Sequence, residues 1–546
     1  MLAHGGAWNH LPTARARRVL DPRSSLHVPD PDTATHGVAA HTPRRRRPAG
    51  RLLAALFASV AVVACVAAFA SGGPAAGQSA ADDGGSDGTV RIGVILEPTS
   101  LDIRGNQGVA TSQILTDNVY QGLIGVKAGT VDEIVPVLAT ELPRVSTDGR
   151  TATFTIRDGV TFHSGGALTA DDVVASLAET LTPENVGFAP TIDRVDARTI
   201  RITLAERNSD LMWQLANTPG LIREAAADND LEVTANGTGP YRFEAWDRGE
   251  TLTLVRNADY WGAPATLDRA VFSFLPQGRA AVKALRGGDI DVHTALLPSL
   301  SPEFEGDAAY TLNRARSTDV FTLAFNSAKA PLNDPRVRTA LSRAIDPDAL
   351  IAAQNGNGTP LGSPVTELDP GFVDLTDVNA YDPQSARDLL YEAGQDHLTL
   401  TITMPDHYDP APLDLLKGQL ADVGVAIVVK QLPFSAWLEQ VVRNHDYQVS
   451  YVDHAEPRGL ADYAHPGTYF GYDSPRVQEL YARALAEADP AAAAALFSEA
   501  AAQVAADAPA KWLVNYAPTN VLSTRIAEFP RENTNSRINL AGVRLN

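Results

Sequence analysis

The stretch from residue 237 to residue 262, GTGPYRFEAWDRGETLTLVRNADYWG, restricts the local structure more than any other part of this chain. Two glycines and a proline open it as a turn. Apolar and polar residues then alternate on both sides of Arg248-Gly249, which is the pattern of two half-buried strands joined by a tight connection. The stretch therefore predicts an antiparallel strand pair that ends in an Asn-x-x-Tyr-Trp corner.

The length and charge of the chain limit its class. A chain of 546 residues exceeds what one hydrophobic core supports, so two or three lobes are expected. Hydrophobic residues make up 44% and charged residues 20%, as in ordinary soluble globular proteins. The formal net charge of −20 argues against a nucleic-acid partner, because phosphate binding requires clustered Lys and Arg.

The N-terminal part differs in composition from the rest. Residues 1–48 carry scattered Pro, His and Arg without periodicity and are interpreted as a disordered arm or as the result of a start codon assigned too early. Residues 49–70 contain an uncharged apolar run behind a group of arginines, which is typical of a secretion signal or lipoprotein leader. Residues 71–88, rich in Gly, Ala, Ser and Asp, are interpreted as a flexible linker.

Cys65 is the only cysteine and follows Val62-Val63-Ala64. This run resembles a bacterial lipobox and predicts lipidation of Cys65, with a diacyl anchor in the membrane. Because the apolar run continues beyond the cysteine, two alternatives stay open: cleavage after Ala68-Phe69-Ala70, or an uncleaved anchor of marginal spanning length. All three predict that the residues beyond about 72 lie outside the cytoplasm. The expected location is the outer face of the cytoplasmic membrane, in the periplasmic space or at the cell surface, where a lipid or an uncleaved leader anchors the chain.

Residues 153–177, TFTIRDGVTFHSGGALTADDVVASL, predict a strand, a turn and a helix. Thr169 is the expected N-cap, and Asp171 and Asp172 in the first turn favour the positive end of the helix. His163 is interpreted as structural, since it has no partner at metal-ligand spacing.

Elsewhere the pattern alternates between helix and strand. Asp-Pro pairs at 334–335 and 382–383 mark helix starts, and strands are predicted at 398–404 and 425–430, which together indicate a three-layer α/β body. Close to the first strand, the spacing of Ile114, Val119 and Leu123 predicts a helix with one apolar face. Near the end, Asp489 caps a helix predicted for residues 490–506.

These motifs resemble one family. The run TGPY…NADYWG is similar to the "TGPY…NPDYWG" segment of the extracytoplasmic solute-binding proteins, family 5, of peptide/nickel ABC importers. Residues 153–177 resemble that family's "tFtLRdGvkFHdGxplTAeDVvxSl" signature, and FTLAFNSAKAPLNDPRVRTALSRAID resembles its "NxxxxPfxDxrVRqAlxyAiD". The resemblance covers essentially the whole chain from Val90 onward.

The resemblance implies a fold and a division into lobes. The fold is α/β, a periplasmic-binding-protein-like (type II, cluster C) bilobal fold with an extra inserted small lobe. Mapped onto this sequence, the first lobe is expected at 88–124, 193–270 and 509–546, the inserted lobe at 125–192 and the second, large lobe at 271–508. The strand expected at 511–516 is thereby assigned to the first lobe.

The resemblance also implies a function. Such a protein captures a small solute, here expected to be a peptide, in the cleft between its lobes and delivers it to a membrane permease driven by a separate ATPase. It is expected to act as a monomer without a cofactor, a resident metal or catalytic residues. Opines, metal chelates and oligosaccharides stay open as ligands. The alternatives are a ligand sensor for a signalling receptor on the same fold and, disfavoured by the lack of usable hydrolase motifs, a secreted hydrolase.

Ligand contacts are implied at three places of this sequence. The expected residues are the loop Gln107, Gly108 and Val109, the charged group Asp453, Glu456 and Arg458, and the aromatic residues Trp437 and Tyr516. In peptide-binding relatives the second place carries a tryptophan and an aspartate that pairs with the peptide's amino terminus, and here the tryptophan is replaced by Asp453-His454. A surface ion pair is the alternative for the charged group, and core packing for the aromatic residues.

Overall fold

The computed structural model describes residues 88–104, 108–227 and 229–546. The predicted arm, leader and most of the linker, with the lipidation of Cys65, lie outside these residues, as does Gln107. Among the described helices, none combines the length and the apolar character needed to cross a membrane.

The secondary structure of the described part mixes strands and helices throughout. The strands are β1 (Thr89–Val94), β2 (Gln121–Gly122), β3 (Ile124–Val126), β4 (Ile134–Pro136), β5 (Arg144–Val145), β6 (Thr151–Thr155), β7 (Thr191–Arg194), β8 (Thr199–Thr203), β9 (Leu221–Ile222), β10 (Tyr241–Asp247), β11 (Thr251–Arg256), β12 (Arg269–Phe274), β13 (Val292–Leu296), β14 (Tyr310–Arg314), β15 (Val320–Phe325), β16 (Leu398–Pro405), β17 (Val425–Leu432), β18 (Val449–His454), β19 (Ala510–Asn515), β20 (Thr519–Ser523), β21 (Ile526–Glu528) and β22 (Arg544–Leu545). The α-helices are α1 (Val109–Leu115), α2 (Ala170–Thr180), α3 (Pro183–Val186), α4 (Leu211–Ala216), α5 (Gly278–Gly287), α6 (Pro335–Arg343), α7 (Pro347–Ala353), α8 (Pro383–Glu392), α9 (Pro410–Asp422), α10 (Phe434–Trp437), α11 (Ala461–Ala464), α12 (Pro475–Ala486) and α13 (Pro490–Asp507). Short 3₁₀ segments occur at Thr218–Gly220, Pro298–Glu303 and Leu540–Gly542, and a π-helical segment at Leu438–Arg443.

A seven-stranded sheet forms what we name the first body. Its strand order is β10-β11-β12-β1-β13-β20-β14, with β1 parallel to both of its neighbours and the other pairs antiparallel. The predicted hairpin is confirmed as β10 and β11, joined through Arg248-Gly249. One face of the sheet packs into a buried core that includes Ile92, Phe272 and, from the chain end, Ile538.

A five-stranded sheet in the order β17-β16-β18-β15-β19 forms the second body. Successive residues of a strand point to opposite faces. On β15, Phe321 and Leu323 pack into a core with α6, α8 and α9, whereas Val320 and Ala324 pack into another core with α12 and α13. Helices therefore cover both faces, which is the predicted three-layer α/β arrangement.

A third, small body is built on the four-stranded antiparallel sheet β5-β6-β8-β7. Phe154 on β6, Ile200 on β8 and Val173 and Leu177 on α2 share its core. Helix α4 belongs to the same core through Trp213.

The strand pairing moves the lobe boundaries inferred from sequence. Strands β13 and β14 belong to the first body although the sequence division placed residues 271–508 in the large lobe, and β19 belongs to the second body instead of returning to the first. Strands β7 and β8 complete the small body beyond residue 192. A strand's own sequence shows that one face is buried, but not which sheet supplies its neighbour, so the inferred boundaries missed these pairings.

The helix predicted across Ile114, Val119 and Leu123 is wrong beyond Leu115, where α1 ends. Asp117 adopts a left-handed backbone conformation (φ 66°) that a helix cannot contain. The Asn118 side chain then donates to the carbonyl of Ile114 at 2.9 Å and caps the helix end. Short strands β2 and β3 follow instead.

Helix starts predicted from capping residues are confirmed. Thr169 and Asp172 form a reciprocal capping box at α2. Asp334, Asp382 and Asp489 each accept a hydrogen bond from a backbone N–H of the helix they precede. These short polar side chains satisfy donors that have no partner within the helix.

The two longest sequence motifs meet in space. The backbone N–H of His163 donates to the Gly237 carbonyl at 2.9 Å, and the His163 Nε2 lies 3.0 Å from the Gly239 carbonyl oxygen. Burial lowers the pKa of His163 to about 4, so this imidazole is neutral at pH 7. His163 therefore joins the small body to the hairpin motif, as the structural interpretation expected.

Candidate functional site

Within the described residues the chain passes between the first and second bodies at two places, residues 315–319 and 516–518. The two crossings are hydrogen-bonded to each other: the N–H of Ala315 donates to the Pro518 carbonyl at 2.8 Å, and the N–H of Tyr516 donates to the Asp319 carbonyl at 2.8 Å. Two paired crossing segments of this kind can act as a hinge while the sheets on either side stay intact.

A small cavity of about 50 Å³ lies where the three bodies meet. The first body contributes Thr116 and Arg537, the small body Trp213, and the second body Glu456 and Pro457. This volume suffices for a few water molecules. All three bodies thus contribute to one cavity with a mixed polar and apolar lining.

Two carboxyl groups face each other beside the first crossing. Asp319 is completely buried at the end of the crossing, and Asp453 lies at the end of β18, half-buried. Burial raises the pKa of Asp453 to about 7. Burial, and next the neighbouring Asp453 charge, raises the pKa of Asp319 well above its ordinary value. Burial, and next the repulsion between the two charges, therefore disfavours the doubly ionised pair near neutral pH.

Glu456 and Asp462 have an unusual setting. Both lie just after β18 in the second body and keep more than a third of their surface accessible to water, and Glu456 also lines the cavity. Burial raises the pKa of Glu456 to about 7 and that of Asp462 to about 6. The segment that ends β18 and follows it is consequently rich in acidic groups: Asp453, Glu456 and Asp462.

An aromatic cluster stands next to the carboxyl pair. The ring of Phe321 lies 5.1 to 5.3 Å from the rings of Tyr408, Tyr451 and Tyr516. The Tyr408 hydroxyl accepts a hydrogen bond of 3.0 Å from the backbone N–H of Asp453. Tyr516 is thus buried in the core of the second body. It also begins the second crossing, so it packs in the core and lies at the hinge.

The histidines of this region are neutral. Burial lowers the pKa of both His407 and His454 to about 4. The His454 Nε2 lies 2.6 Å from the Tyr469 hydroxyl, and its Nδ1 lies 3.3 Å from the Thr322 hydroxyl. His454 therefore adds polarity and not charge. In the described part of the chain no group of three His, Cys, Asp or Glu is arranged to hold a metal ion.

Both arginines near the cavity are already paired with carboxylates. The Arg458 guanidinium lies 2.7 Å from the Asp210 carboxylate and 4.5 Å from the centre of the Trp213 ring, so it joins the second body to the small body. Arg537 binds Asp117 through two hydrogen bonds of 2.7 and 3.0 Å. Arg458 was expected as a ligand contact, but its guanidinium is engaged between two bodies.

Gly108, Val109 and Trp437, which were also expected to contact the ligand, have different surroundings. Gly108, directly before Val109 and α1, lies so close to the second body that a Cβ built on it would be 3.5 Å from the Phe434 ring. Phe434 stacks on Trp437 at 5.7 Å, and Trp437 itself is 4% exposed with its indole N–H donating to Ser450. The loop and Phe434 therefore face each other, whereas Trp437 packs into the core.

Sequence reasoning missed several residues that the fold brings to this site. They are Asp319, His407, Tyr408, Phe434, Asp462 and Arg537. Asp319 and Tyr408 lie in segments whose patterns indicated only strands and loops, and no spacing connected them. A carboxyl at the start of a fully buried strand was the one available signal, since isolated charges seldom enter cores.

Comparisons with known proteins agree on one group. The family model described as bacterial extracellular solute-binding proteins, family 5 Middle, matches residues 133–474. The chain is 31% identical over 331 residues to heme-binding protein A of Haemophilus influenzae, covering 54% of this chain and 59% of that protein. It is 28% identical over 454 residues to the glutathione-binding protein GsiB of Pectobacterium atrosepticum, covering 77% of this chain and 87% of that protein. The aligned stretch thus spans less than two thirds of the first of these relatives.

A solved structure shares the fold. The periplasmic binding protein DppA from Helicobacter pylori, in complex with the peptide STSA, superposes with a TM-score of 0.76 at 22% identity, covering 84% of this chain and 98% of that one. At this identity the likeness concerns the fold alone. It confirms the expected α/β bilobal architecture.

Proposed function

The chain belongs to the bacterial extracellular solute-binding proteins, family 5, and on this premise we propose that it is the substrate-binding component of an ABC importer whose ligand is a peptide. The ligand binds between the bodies, and the closed protein docks on a membrane permease that a separate ATPase drives. The chain acts outside the cytoplasm as a monomer and carries no catalytic role. One structural observation carries the proposal: a cavity lined by all three bodies lies beside two hydrogen-bonded crossing segments.

Peptide is favoured among the possible ligands by the relatives. One is a glutathione-binding protein, and the solved structure of another holds a tetrapeptide. The acidic groups of Asp453, Glu456 and Asp462, at the end of β18 and just after it, suit an amine. Because ligand pockets usually occupy about 300–1,000 Å³, entry of a peptide requires the bodies to move apart.

A peptide ligand is expected to stabilise the protein against heat. A ligand present at about one hundred times its dissociation constant adds about 2.7 kcal/mol to the free energy of unfolding, because it binds the folded state alone. Thermal shift of the mature protein with glutathione, Ser-Thr-Ser-Ala and pools of di- to pentapeptides measures this. The peptide assignment fails if no peptide raises Tm while heme, an opine, a metal chelate or an oligosaccharide does.

We further propose that Cys65 carries the lipid that holds the protein at the outer face of the membrane. Its support is the sequence around the cysteine, since this residue lies outside the described part of the chain. The variant Cys65→Ala is expected to leave the membrane fraction, and mass spectrometry of the native N-terminus should find a diacylated cysteine. A native N-terminus that begins after Ala70, or an intact leader, would contradict lipidation and support one of the two alternatives.

A further inference from the structure

A second and larger pocket lies where the small body meets the first body, and we name it the junction pocket. Its volume of about 530 Å³ falls within the range of about 300–1,000 Å³ that ligand pockets usually occupy. Its lining includes His163 and Ser164 of the turn between β6 and α2, Glu224 and Asn236 of the segment between β9 and β10, and Arg242 and Phe243 of β10. None of the described residues lines both this pocket and the cavity beside the hinge, and the second body adds none to it. Occupation of the junction pocket therefore requires no closure of the cleft.

The two longest sequence motifs supply much of this lining. Residues 153–177 contribute His163 and Ser164, and residues 237–262 contribute Arg242 and Phe243. Neither motif contributes to the cavity beside the hinge. The proposed function, which uses that cavity, therefore leaves the polar side chains of both motifs without a role in binding.

The turn at His163-Ser164 fixes two charged groups in the junction pocket. The Glu224 Oε2 accepts hydrogen bonds of 2.7 Å from the Ser164 hydroxyl and 2.7 Å from the Asn236 side-chain amide. The Arg242 guanidinium donates to the His163 carbonyl. Because His163 and Ser164 are consecutive, one turn positions a carboxylate and a guanidinium in the same pocket.

Both charged groups keep capacity for a ligand. A guanidinium carries five N–H donors, and within the described residues Arg242 donates to the His163 carbonyl and pairs with no carboxylate. The Glu224 Oε1 accepts no hydrogen bond from the described residues. No other lining side chain is charged, since burial lowers the pKa of His163 to about 4. The pocket thus offers one cation and one anion to a bound molecule.

We propose that the junction pocket binds a small zwitterion of the amino-acid type, whose carboxylate binds Arg242 and whose ammonium group binds Glu224. This inference goes beyond the proposed function and does not rest on it, since the pocket needs neither the cleft nor the hinge. An arginine fork can bind a carboxylate through two parallel hydrogen bonds, and such charge-assisted bonds are stronger than neutral ones. Phe243, partly buried against the core of the first body, offers an apolar surface for the carbon chain between the two charges.

A series of ω-amino acids tests the requirement for both charges. Glycine, β-alanine, 4-aminobutanoate and 6-aminohexanoate carry the same two groups at increasing separation, and calorimetry measures the affinity of each. One length should fit the fixed positions best, and it should bind about tenfold or more tightly than butanoate or butylammonium, each of which lacks one charge. If no member of the series binds more tightly than these two singly charged probes, the zwitterion site is overturned.

Substitutions at the two charged groups test the contacts. Arg242→Gln and Glu224→Gln should each weaken the best-fitting zwitterion by about tenfold or more, the loss of a hydrogen bond between charged groups. Arg248→Gln and Glu250→Gln are the matched controls, because both residues are exposed in the turn of the β10–β11 hairpin and lie outside the pocket lining. These controls should keep the native affinity. An affinity that Arg242→Gln and Glu224→Gln both leave unchanged overturns the assignment.

Thermal denaturation of the ligand-free variants checks that each is folded. Should Arg242→Gln be unfolded, Arg242→Lys replaces it, because lysine keeps the charge and loses the fork that binds a carboxylate through two bonds. It should still weaken the best-fitting zwitterion, and native affinity in Arg242→Lys together with Glu224→Gln contradicts the proposal.

Hydrogen exchange separates the junction pocket from the cleft. The bound zwitterion should protect the backbone amides of residues 162–166 and 234–243 and leave those of residues 453–462 unchanged. Protection confined to residues 453–462 would place the probe in the cleft and overturn the inference.

The outcomes also separate this inference from the proposed function. A short peptide is itself a zwitterion, so the thermal shift with Ser-Thr-Ser-Ala is repeated on Arg242→Gln. A shift that persists supports peptide binding in the cleft, whatever the ω-amino acids show at the junction pocket. A shift that disappears means that the peptide bound the junction pocket, which supports this inference and removes support for the cleft.

Discussion

Gly237→Ala is expected to lower the free energy of unfolding by about 3 kcal/mol or more, the upper range for overpacked sites. A Cβ at this position would lie 2.0 Å from the backbone carbonyl oxygen of Val119 and 2.7 Å from its carbon. The position of the Cβ is set by the Gly237 backbone and the carbonyl belongs to the Val119 backbone, so neither group can rotate away. The contact joins the hairpin motif to the segment that follows α1 in the first body, where the N–H of Gly239 also donates to the Val119 carbonyl at 2.9 Å.

Thermal and urea denaturation of the purified variant measure the loss. Gly418→Ala is the matched control, because Gly418 lies in α9, is exposed, and has no atom within 4 Å of a Cβ. Alanine should stabilise that helix by about 0.5–1 kcal/mol. If Gly237→Ala unfolds at the same temperature and urea concentration as the native protein, the close approach of the two backbones does not require glycine at position 237.

Arg458→Met is expected to weaken ligand binding by roughly 100-fold, equivalent to about 3 kcal/mol. Its partner Asp210 is 8% exposed in its side chain, and only Gln214 would remain to hold that carboxylate, at 2.6 Å. The unpaired Asp210 carboxylate destabilises the closed arrangement in particular, because separating the second body from the small body would let water reach it. The ligand-free protein should shift towards an open form with a larger radius of gyration in X-ray scattering.

Two further variants test whether the unpaired charge of Asp210 causes the loss of affinity. Arg443→Met removes an arginine whose ion pair with Glu439 is more than half exposed, and it should leave the affinity unchanged. Adding Asp210→Asn to Arg458→Met removes the stranded charge and should restore most of the affinity. An Arg458→Met variant with native affinity and native scattering would mean that the pair does not hold the two bodies together.

Local predictions from sequence succeeded where the cause of the structure is itself local. The capping side chains at Thr169, Asp334 and Asp489 satisfy backbone donors a few residues away, so their pattern identifies helix starts directly. The hairpin at Arg248-Gly249 likewise depends on its own turn. The failed helix beyond Leu115 had the right periodicity, but a left-handed Asp117 interrupts it.

The candidate site could be predicted only in part. The resemblance directed attention to Gly108, which the fold places near Phe434 of the second body, and to Asp453, which it places beside Asp319. It gave no reason to join Asp453 to Asp319, because the two are 134 positions apart and meet only through the pairing of β15 with β18. Arg458 was expected to contact ligand, and only the packed structure pairs it with Asp210.

By itself the sequence determined the elements, the family and the α/β class, since these follow from periodicity, capping and motifs that a short stretch of chain contains. The tertiary structure alone decided which sheet each strand joins, where the two crossings run and which carboxyls share a buried pocket. Strand partners and the burial of charges depend on residues hundreds of positions away. The pKa values of Asp319 and Asp453 are therefore properties of the assembled cleft and of neither residue alone.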